Sequence, residues 1–285
     1  MSTTISTAFV QQFSSNIAML SQQMGSLLRS SVDVESVNAE KAFFDQVGVA
    51  AAVARTTRNS DTPLMDTPHT RRMVTMTDYE YADLIDSQDK IRMLADPTST
   101  YARAAAAAMG RAMDDVIIAA MHGTSKTGAS GATSVSFPST QQIVHGSAGL
   151  NIAKLLEAKE ILDANSVDPS IPRYLVASPK QMSDLLGTTQ VTSSDFNTVK
   201  ALVQGSVDSF MGFKFISSNR LPHNGTSRQV FAYASDGLKC AIGKEPTAKI
   251  DERADKSYST QIYYCQTLGA TRMEEEKIVE IACNE

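Results

Sequence analysis

The chain has 285 residues, of which 42% are hydrophobic and 20% are charged, and its formal net charge is −5. This length and apolar content suffice for one large core or two modest ones, and the weak acidity argues against a surface that grips nucleic acid through phosphate contacts. The sequence contains neither a recognisable signal peptide nor an apolar run of membrane-spanning length, so we expect a protein that is made in the cytoplasm and has no membrane partner.

The N-terminal segment, residues 1–38, is rich in Ser, Gln, Asn and Thr. Its apolar residues, which begin with Phe9 and Phe13, recur at helical spacing and favour a weak amphipathic helix. Because the segment is too polar to form a core of its own, we interpret it as an arm that lies on another surface, such as that of a neighbouring subunit. Phe9 and Phe13 are therefore candidate interface residues.

Two segments that look extended, 47–57 and 70–78, flank a polar stretch with two Thr-Pro dipeptides. Since the residue before proline is biased away from helix, this pattern predicts a long β-hairpin with a polar tip. Its arms hold few large apolar residues, so we expect the hairpin to be marginal alone and to pack on another chain. Charged residues near its tip are candidates for complementary contacts with a neighbour. They are Arg55, Arg58, Asp61, Asp66, Arg71 and Arg72.

The clearest helix is predicted over residues 100–122, an Ala-rich stretch that follows the stop and cap signals of an Asp-Pro-Thr-Ser sequence. A Gly-, Ser- and Thr-rich loop or loose hairpin is predicted over 123–149. Asn151 is a plausible N-cap for a second helix that ends near residue 164, with Leu155 and Leu162 facing inward.

The rest of the chain alternates between short strands and helices, which indicates an α+β fold with one compact subdomain over about 170–245. Ser178 and Pro179 are typical of a helix start, and Gly187 of its end. A further helix is predicted over 195–204. Strands are predicted over 173–177, 211–218, 229–235, 238–243, 257–272 and 277–283.

No pattern in the sequence indicates catalysis or a bound cofactor. The stretch from Gly123 to Gly128 lacks the Lys-Ser/Thr pair that a phosphate loop needs directly after its second glycine. The histidines have no metal-binding spacing, and we interpret them as turn or surface residues in loops. They are His69, His122, His145 and His223.

The cysteines Cys240, Cys265 and Cys283 are far apart in sequence and predict reduced thiols rather than a disulfide or metal site. The acidic run over 274–276 is interpreted as a solvated turn. A hydrolase would need two carboxylates held opposite each other in a cleft, and the sequence displays no such pair. We therefore expect a protein that is not an enzyme, with no catalytic residue, cofactor or metal.

Taken in order, these elements resemble the Hong Kong ninety-seven type fold of tailed-phage major capsid proteins. Five sequence segments add to the resemblance, because they are similar to major capsid proteins of short-tailed, podovirus-like phages. These segments are FFDQVGVAAAV, RRMVTMTDYEYADLID, GRAMDDVIIAAM, GFKFISSNRLP and ERADKSYSTQIYYCQTLGATRMEEEKIVEIAC. The resemblance extends over nearly the whole chain. It implies an N-terminal arm over 1–38, an E-loop hairpin region over 39–95, a peripheral domain with a spine helix over 96–170, an axial domain over 171–245, and return strands of the peripheral domain over 246–285.

The resemblance also implies a function. The chain would be a structural subunit of an icosahedral virion capsid, assembled in the bacterial host cytoplasm as pentamers and hexamers that enclose double-stranded DNA without reading its sequence. A portal protein and a separate scaffolding protein would be partners, because only about 38 residues precede the hairpin. No lysine lies between Ala50 and Arg72, so a covalent cross-link from an E-loop lysine is not expected. The alternative is an encapsulin-like shell protein of a cellular nanocompartment.

Overall fold

The computed structural model describes residues 21–59, 61–62, 64–86, 98–187 and 209–285. The predicted helix over 195–204 and the arm residues Phe9 and Phe13 lie outside the described residues.

The described residues form three α-helices and fifteen strands, which confirms the predicted α+β class. The helices are α1 (Thr98–His122), α2 (Ile152–Ala164) and α3 (Pro179–Leu186). The strands are β1 (Asp33–Ser36), β2 (Lys41–Val47), β3 (His69–Thr75), β4 (Thr77–Ile85), β5 (Ser125–Thr127), β6 (Thr133–Val135), β7 (Gln142–Ile143), β8 (Arg173–Ala177), β9 (Ser209–Phe210), β10 (Phe213–Ser217), β11 (His223–Asn224), β12 (Ser227–Ala234), β13 (Leu238–Arg253), β14 (Ser259–Arg272) and β15 (Ile278–Asn284). Of the described helices, none is long and apolar enough to cross a membrane.

The chain divides into two compact units. Of the described residues, the first unit holds 21–26, 78–86, 98–112 and 244–267, and the second holds the remainder. Helix α1 and strands β13 and β14 contribute residues to both.

The second unit is built around a sheet whose strand order is β7-β15-β12-β8-β10-β9, with β11 paired to β12. Alternate residues of β12 show why this sheet is buried on both faces. Val230 and Ala232 pack with Leu155 and Leu162 of α2, while Phe231, on the opposite side of the strand, is also fully buried. Strand β15 and helix α2 thus share a core with the predicted 171–245 subdomain, although both lie outside that range.

The predicted caps of the two short helices are confirmed. The Asn151 side chain accepts a hydrogen bond from the Lys154 amide at 3.0 Å, which satisfies an amide that has no partner inside α2. Ser178 Oγ likewise accepts from the Gln181 amide, Pro179 occupies the first turn of α3, and Gly187 ends it.

The predicted hairpin is present, but its first arm was placed wrongly. Strand β2 pairs antiparallel with β3 so that Lys41 faces Thr75 and Val47 faces His69, whereas residues 48–56 form no strand. The physical reason is that Phe44 of β2 is buried together with Val74 of β3, whereas the apolar residues after Val47, among them Val49 and Val53, stay exposed and pack on nothing within the described chain.

The hairpin therefore has packing of its own at its base, which corrects the expectation that it is marginal alone. Its packing on another chain stays a prediction. The Phe44 and Val74 side chains are 6% and 2% exposed, and they pack with Met76 and Ala241. The predicted 123–149 loop adds strands to the same sheet, whose order is β2-β3-β5-β6.

Part of the predicted arm lies on its own chain. The Asp114 carboxylate accepts hydrogen bonds from the amides of Leu27 and Leu28 at 3.1 and 3.2 Å, and Leu28 is fully buried. Ser31 Oγ and Tyr233 Oη are 2.6 Å apart. The chain then continues as β1, which pairs parallel with β13. Residues 27–36 are thus anchored by a buried carboxylate and by backbone pairing.

The first unit packs α1 against β14. Gln266 Nε2 donates to the Met109 carbonyl at 2.9 Å, and Ile262 of β14 is fully buried. Gly110 is required here, because a Cβ at this position would lie 2.3 Å from the carbonyl carbon of Gly25. On the more exposed side of the sheet, Tyr263 donates to Glu80 at 2.7 Å, so side-chain bonds link β14 to β4.

Replacing the buried Asp114 should loosen the N-terminal segment. Asp114→Ala removes the acceptor for two amides, and we expect the free energy of unfolding to fall by about 3 kcal/mol, since bonds to a buried charged group are the stronger class. Asp115→Ala is the matched control, because Asp115 forms an exposed pair with Arg220, and such pairs contribute about 0–1 kcal/mol. Chemical denaturation of the unassembled subunit measures both, and equal losses would contradict the assignment.

A buried carboxyl in β15 gives a pH-dependent prediction. Burial raises the pKa of Glu280, against weaker lowering by His122 and a Gln229 hydrogen bond. A carboxyl whose folded pKa exceeds its unfolded value destabilises the fold when it is charged, and the penalty disappears as the pH falls below about 4.3. Glu280→Gln should therefore raise the free energy of unfolding at neutral pH and have little effect at about pH 4. Glu157→Gln, on the exposed side of α2, is the control; a loss of stability in Glu280→Gln at neutral pH would contradict this prediction.

Candidate intersubunit interface

The segment between β2 and β3 extends into solvent and carries exposed apolar side chains. We call the described residues of 48–68 the tip loop. Val49 and Leu64 are 96% and 98% exposed, and Val53 and Met65 are exposed as well. Apolar side chains that are grouped on one exposed segment are typical of a contact surface.

The tip loop also carries four of the predicted charged residues, Arg55, Arg58, Asp61 and Asp66, all of them exposed. Arg55 Nε donates to the carbonyl of Thr57 at 3.0 Å, which leaves the rest of its guanidinium facing water. The structure thus places opposite charges on the same exposed loop as the apolar side chains. Phe9 and Phe13 lie outside the described residues.

Arg71 lies at the foot of the tip loop. Its Nε is 2.8 Å from Asp45 Oδ1, and both side chains remain more than one third exposed. The guanidinium is 5.8 Å from the centre of the Phe43 ring, which is itself partly exposed. A groove opens beside this pair. Its lining is Asp45, His69, Thr70, Arg71, Thr127, Gly128 and Ala129.

Arg72 differs from the other predicted residues because it points into its own chain. Its side chain is 9% exposed, its Nη2 is 2.5 Å from Glu275 Oε2, and its Nε donates to the Met273 carbonyl at 2.8 Å. Neighbouring residues of a strand face opposite sides, so Arg71 is available at the surface while Arg72 is not. The structure assigns Arg72 to the base of the hairpin.

A second buried arginine, which sequence reasoning missed, completes this base. Arg272 is fully buried, and its Nη1 donates to the carbonyls of Gly123 and Met121 at 2.8 and 3.1 Å. Burial lowers the pKa of Arg272, and Glu275 opposes that effect. A cation at the end of α1 is favourable, because the last carbonyls of a helix carry partial negative charge.

Glu275 joins the two arginines, so the interpretation of 274–276 as a solvated turn is wrong at this residue. Its carboxylate pairs with Arg72 and lies 3.3 Å from Arg272 Nε, and its side chain is only 13% exposed. We call Arg72, Arg272 and Glu275 the arginine network. The spacing Arg-x-x-Glu between two apolar strands is the one local signal that could have indicated it.

Three of the four histidines lie in a helix or a strand and not in loops, which corrects the prediction. His122 was expected in a loop but is the last residue of α1. Its ring stacks on the Phe231 ring, with the two ring centres 5.7 Å apart. His69 and His223 lie in strands. All three cysteines are free, as predicted, and burial raises the pKa of Cys283 to about 11. Within the described part of the chain, no cluster of His, Cys, Asp or Glu has a metal-binding arrangement.

Breaking the arginine network should destabilise the hairpin base. Glu275→Gln leaves two buried arginines without their carboxylate, and we expect a loss of about 3–5 kcal/mol in the free energy of unfolding, as for other buried pairs that lose one partner. Glu274→Gln is the matched control, because Glu274 is half-exposed and pairs with Lys277. Denaturation of both variants measures the difference, and a Glu275→Gln protein as stable as the control would contradict an anchoring function for the network.

Comparison with known proteins connects this fold to a family. The sequence profile of a family described as phage capsid protein matches residues 5–285. No curated protein matches the chain. Among solved structures, the capsid of Cyanophage P-SCSP1u is 15% identical, with a TM-score of 0.77, over 99% of this chain and 94% of that chain. The capsid of Ralstonia phage GP4 is 10% identical, with a TM-score of 0.74, over 97% of this chain and 95% of that chain. A protein of Mycobacterium phage Che8 is 15% identical, with a TM-score of 0.71, over 96% of this chain and 97% of that chain.

These likenesses confirm the predicted capsid fold along nearly the full length of the chain. The family match covers far more than half of the residues. The chain therefore belongs to the phage capsid protein family, as a structural subunit and not an enzyme.

Proposed function

We propose that this capsid protein closes into pentamers and hexamers that together form an icosahedral shell around double-stranded DNA. The observation that carries the proposal is the contrast within the hairpin, whose base is fixed by a buried ion network while its tip loop is exposed. A surface patch that binds a different patch on the next copy generates a closed ring when the rotation between copies is suitable. The tip loop is the patch that reaches toward the next copy.

Exposed apolar side chains give the contact its driving force. Burying apolar surface is worth about 25 cal/mol per Å², so covering Val49, Val53, Leu64 and Met65 on a neighbour stabilises the assembled state. Permanent assemblies bury larger and more apolar interfaces than transient ones. An extended loop enlarges the contact area beyond what a rounded body offers.

The charged residues of the hairpin orient that contact. We retain Arg55, Arg58, Asp61, Asp66 and Arg71 as interface residues, because their side chains face solvent. Complementary charges mainly select the partner and its register. Arg72 is left out, because its guanidinium bonds within the chain.

The arm is proposed as a second contact, through Phe9 and Phe13, beyond the segment that is anchored at Asp114. The remaining domain assignments also stay proposals: an E-loop region over 39–95, a peripheral domain over 96–170 and 246–285, and an axial domain over 171–245. Strand β15 shares a sheet with β12, which favours including it in the axial domain.

We further propose a separate scaffolding protein and a portal protein as partners, assembly in the host cytoplasm, and incorporation into the virion. The formal net charge of −5 suits a wall that encloses DNA without gripping it, since tight binding depends on many cationic contacts with phosphates.

Reversing charge on the tip loop should impair assembly without affecting folding. We expect Arg55→Glu/Arg58→Glu to lower the yield of shells or rings, because the reversed charges oppose the surface that the arginines complement. Arg55→Lys/Arg58→Lys keeps the charge and is the matched control. Negative-stain microscopy of each variant, expressed with and without the scaffolding protein, measures the yield.

Thermal unfolding of the subunits checks that folding is intact, since exposed substitutions usually change stability by less than about 0.5 kcal/mol. Full assembly of the Arg55→Glu/Arg58→Glu variant would refute the tip-loop interface. A wild-type protein that stays monomeric under every condition would refute the shell itself.

A further inference from the structure

Strand β13 is much longer than its neighbour on one side. Strand β1 pairs with it only over Lys239–Ile242, and β14 lies on its other side. Residues 244–252 are all exposed. In the described part of the chain, no strand pairs with the outer edge of 246–253, and we call this segment the open edge.

An open edge presents backbone N–H and C=O groups that another strand can pair with. Proteins often protect such edges with lysine or proline, and Pro246 does stand near the start of this one. The charge of Lys249 alone would also discourage pairing with another strand. Asp251, however, lies on the same face of the strand and carries the opposite charge. Between them lies Ile250, an apolar side chain that is 49% exposed.

From this pattern we infer that the open edges of two copies pair antiparallel across a two-fold axis at Ile250. In such a pair, the axis runs perpendicular to the sheet, so each residue faces one that lies on the same face of the partner strand. Ile250 then faces its own copy. Lys249 of each copy then faces Asp251 of the other copy, which gives two pairs of opposite charge.

Charge selects this register over its neighbours. A shift by one pair in one direction would place Lys249 opposite Lys249. A shift in the other direction would place Asp251 opposite Asp251 and Lys249 opposite Arg253. Like charges directly opposite each other destabilise a strand pair, whereas opposite charges and apolar pairs stabilise it. The register centred on Ile250 is therefore the favoured two-fold arrangement of this segment.

The inferred contact deepens the proposed shell function and rests on it, because rings of five and six need further contacts between them to close a shell. A two-fold contact uses the same segment on both copies. The tip loop and the open edge would then serve different contacts, one within rings and one between them.

Cysteine cross-linking in assembled particles tests the register. Directly opposed residues in an antiparallel pair have Cα atoms about 4.5–5.5 Å apart, within the range for a disulfide. Under mild oxidation, Ile250→Cys should give a disulfide-linked dimer on a non-reducing gel. Ala248→Cys is the matched control, because position 248 faces position 252 and its two copies lie about 13 Å apart. Wild-type protein gives the background from its three free cysteines.

Charge exchange provides a second, independent readout of assembly. Lys249→Asp and Asp251→Lys each create like charges across the axis and should lower the shell yield about tenfold or more. The double variant Lys249→Asp/Asp251→Lys restores both pairs and should recover the yield. If shells form but Ile250→Cys cross-links no better than Ala248→Cys, the edge pairing is refuted. If the wild-type protein forms no shells at all, the proposed function fails instead.

Discussion

A fully buried guanidinium at the end of the longest helix is the interaction on which the second unit depends. The desolvation penalty of the Arg272 guanidinium is offset because its N–H groups donate to backbone carbonyls at the end of α1 and pair with the carboxylate of Glu275. Burying a charge costs much less free energy when the charge is paired and hydrogen-bonded. The same carboxylate holds Arg72 of β3. One ion network thus joins the helix end, the hairpin and the turn before β15.

That network explains how a long loop is presented from a stable base. Residues near Arg72 are held by a buried ion pair and by the Phe44–Val74 contact, so the base of the hairpin is anchored within its own unit. Beyond Val47 the pairing is reduced to one backbone hydrogen bond, from the Gly48 amide to the Pro68 carbonyl at 2.8 Å, and residues 48–59 are exposed. Ordering a loop costs conformational entropy for each residue, and in a shell subunit the neighbour's surface can compensate for that cost.

Local signals in the sequence were sufficient for the elements whose causes are local. Side-chain caps at Asn151 and Ser178, and an Ala-rich helix that ends at His122, depend on residues within a few positions of one another. The arm of the hairpin was misplaced because β2 is defined by burial against residues far along the chain, including Ala241. The arginine network was missed for the same reason, since Arg72 and Glu275 are 203 residues apart in sequence. A contact between residues so far apart in the chain produces no local pattern in the sequence.

The adjacent residues Arg71 and Arg72 show how one strand can serve both folding and assembly. Alternation along β3 directs Arg72 to the buried network and Arg71 to the surface beside Asp45. The sequence analysis grouped the two because they have the same charge. Removing the buried Arg72 would destabilise the fold, whereas removing the exposed Arg71 would change only the surface. Since the two side chains share a backbone, the network that fixes Arg72 also fixes where Arg71 presents its charge. The orientation of the proposed contact surface is in this way determined inside the subunit, before any neighbour binds.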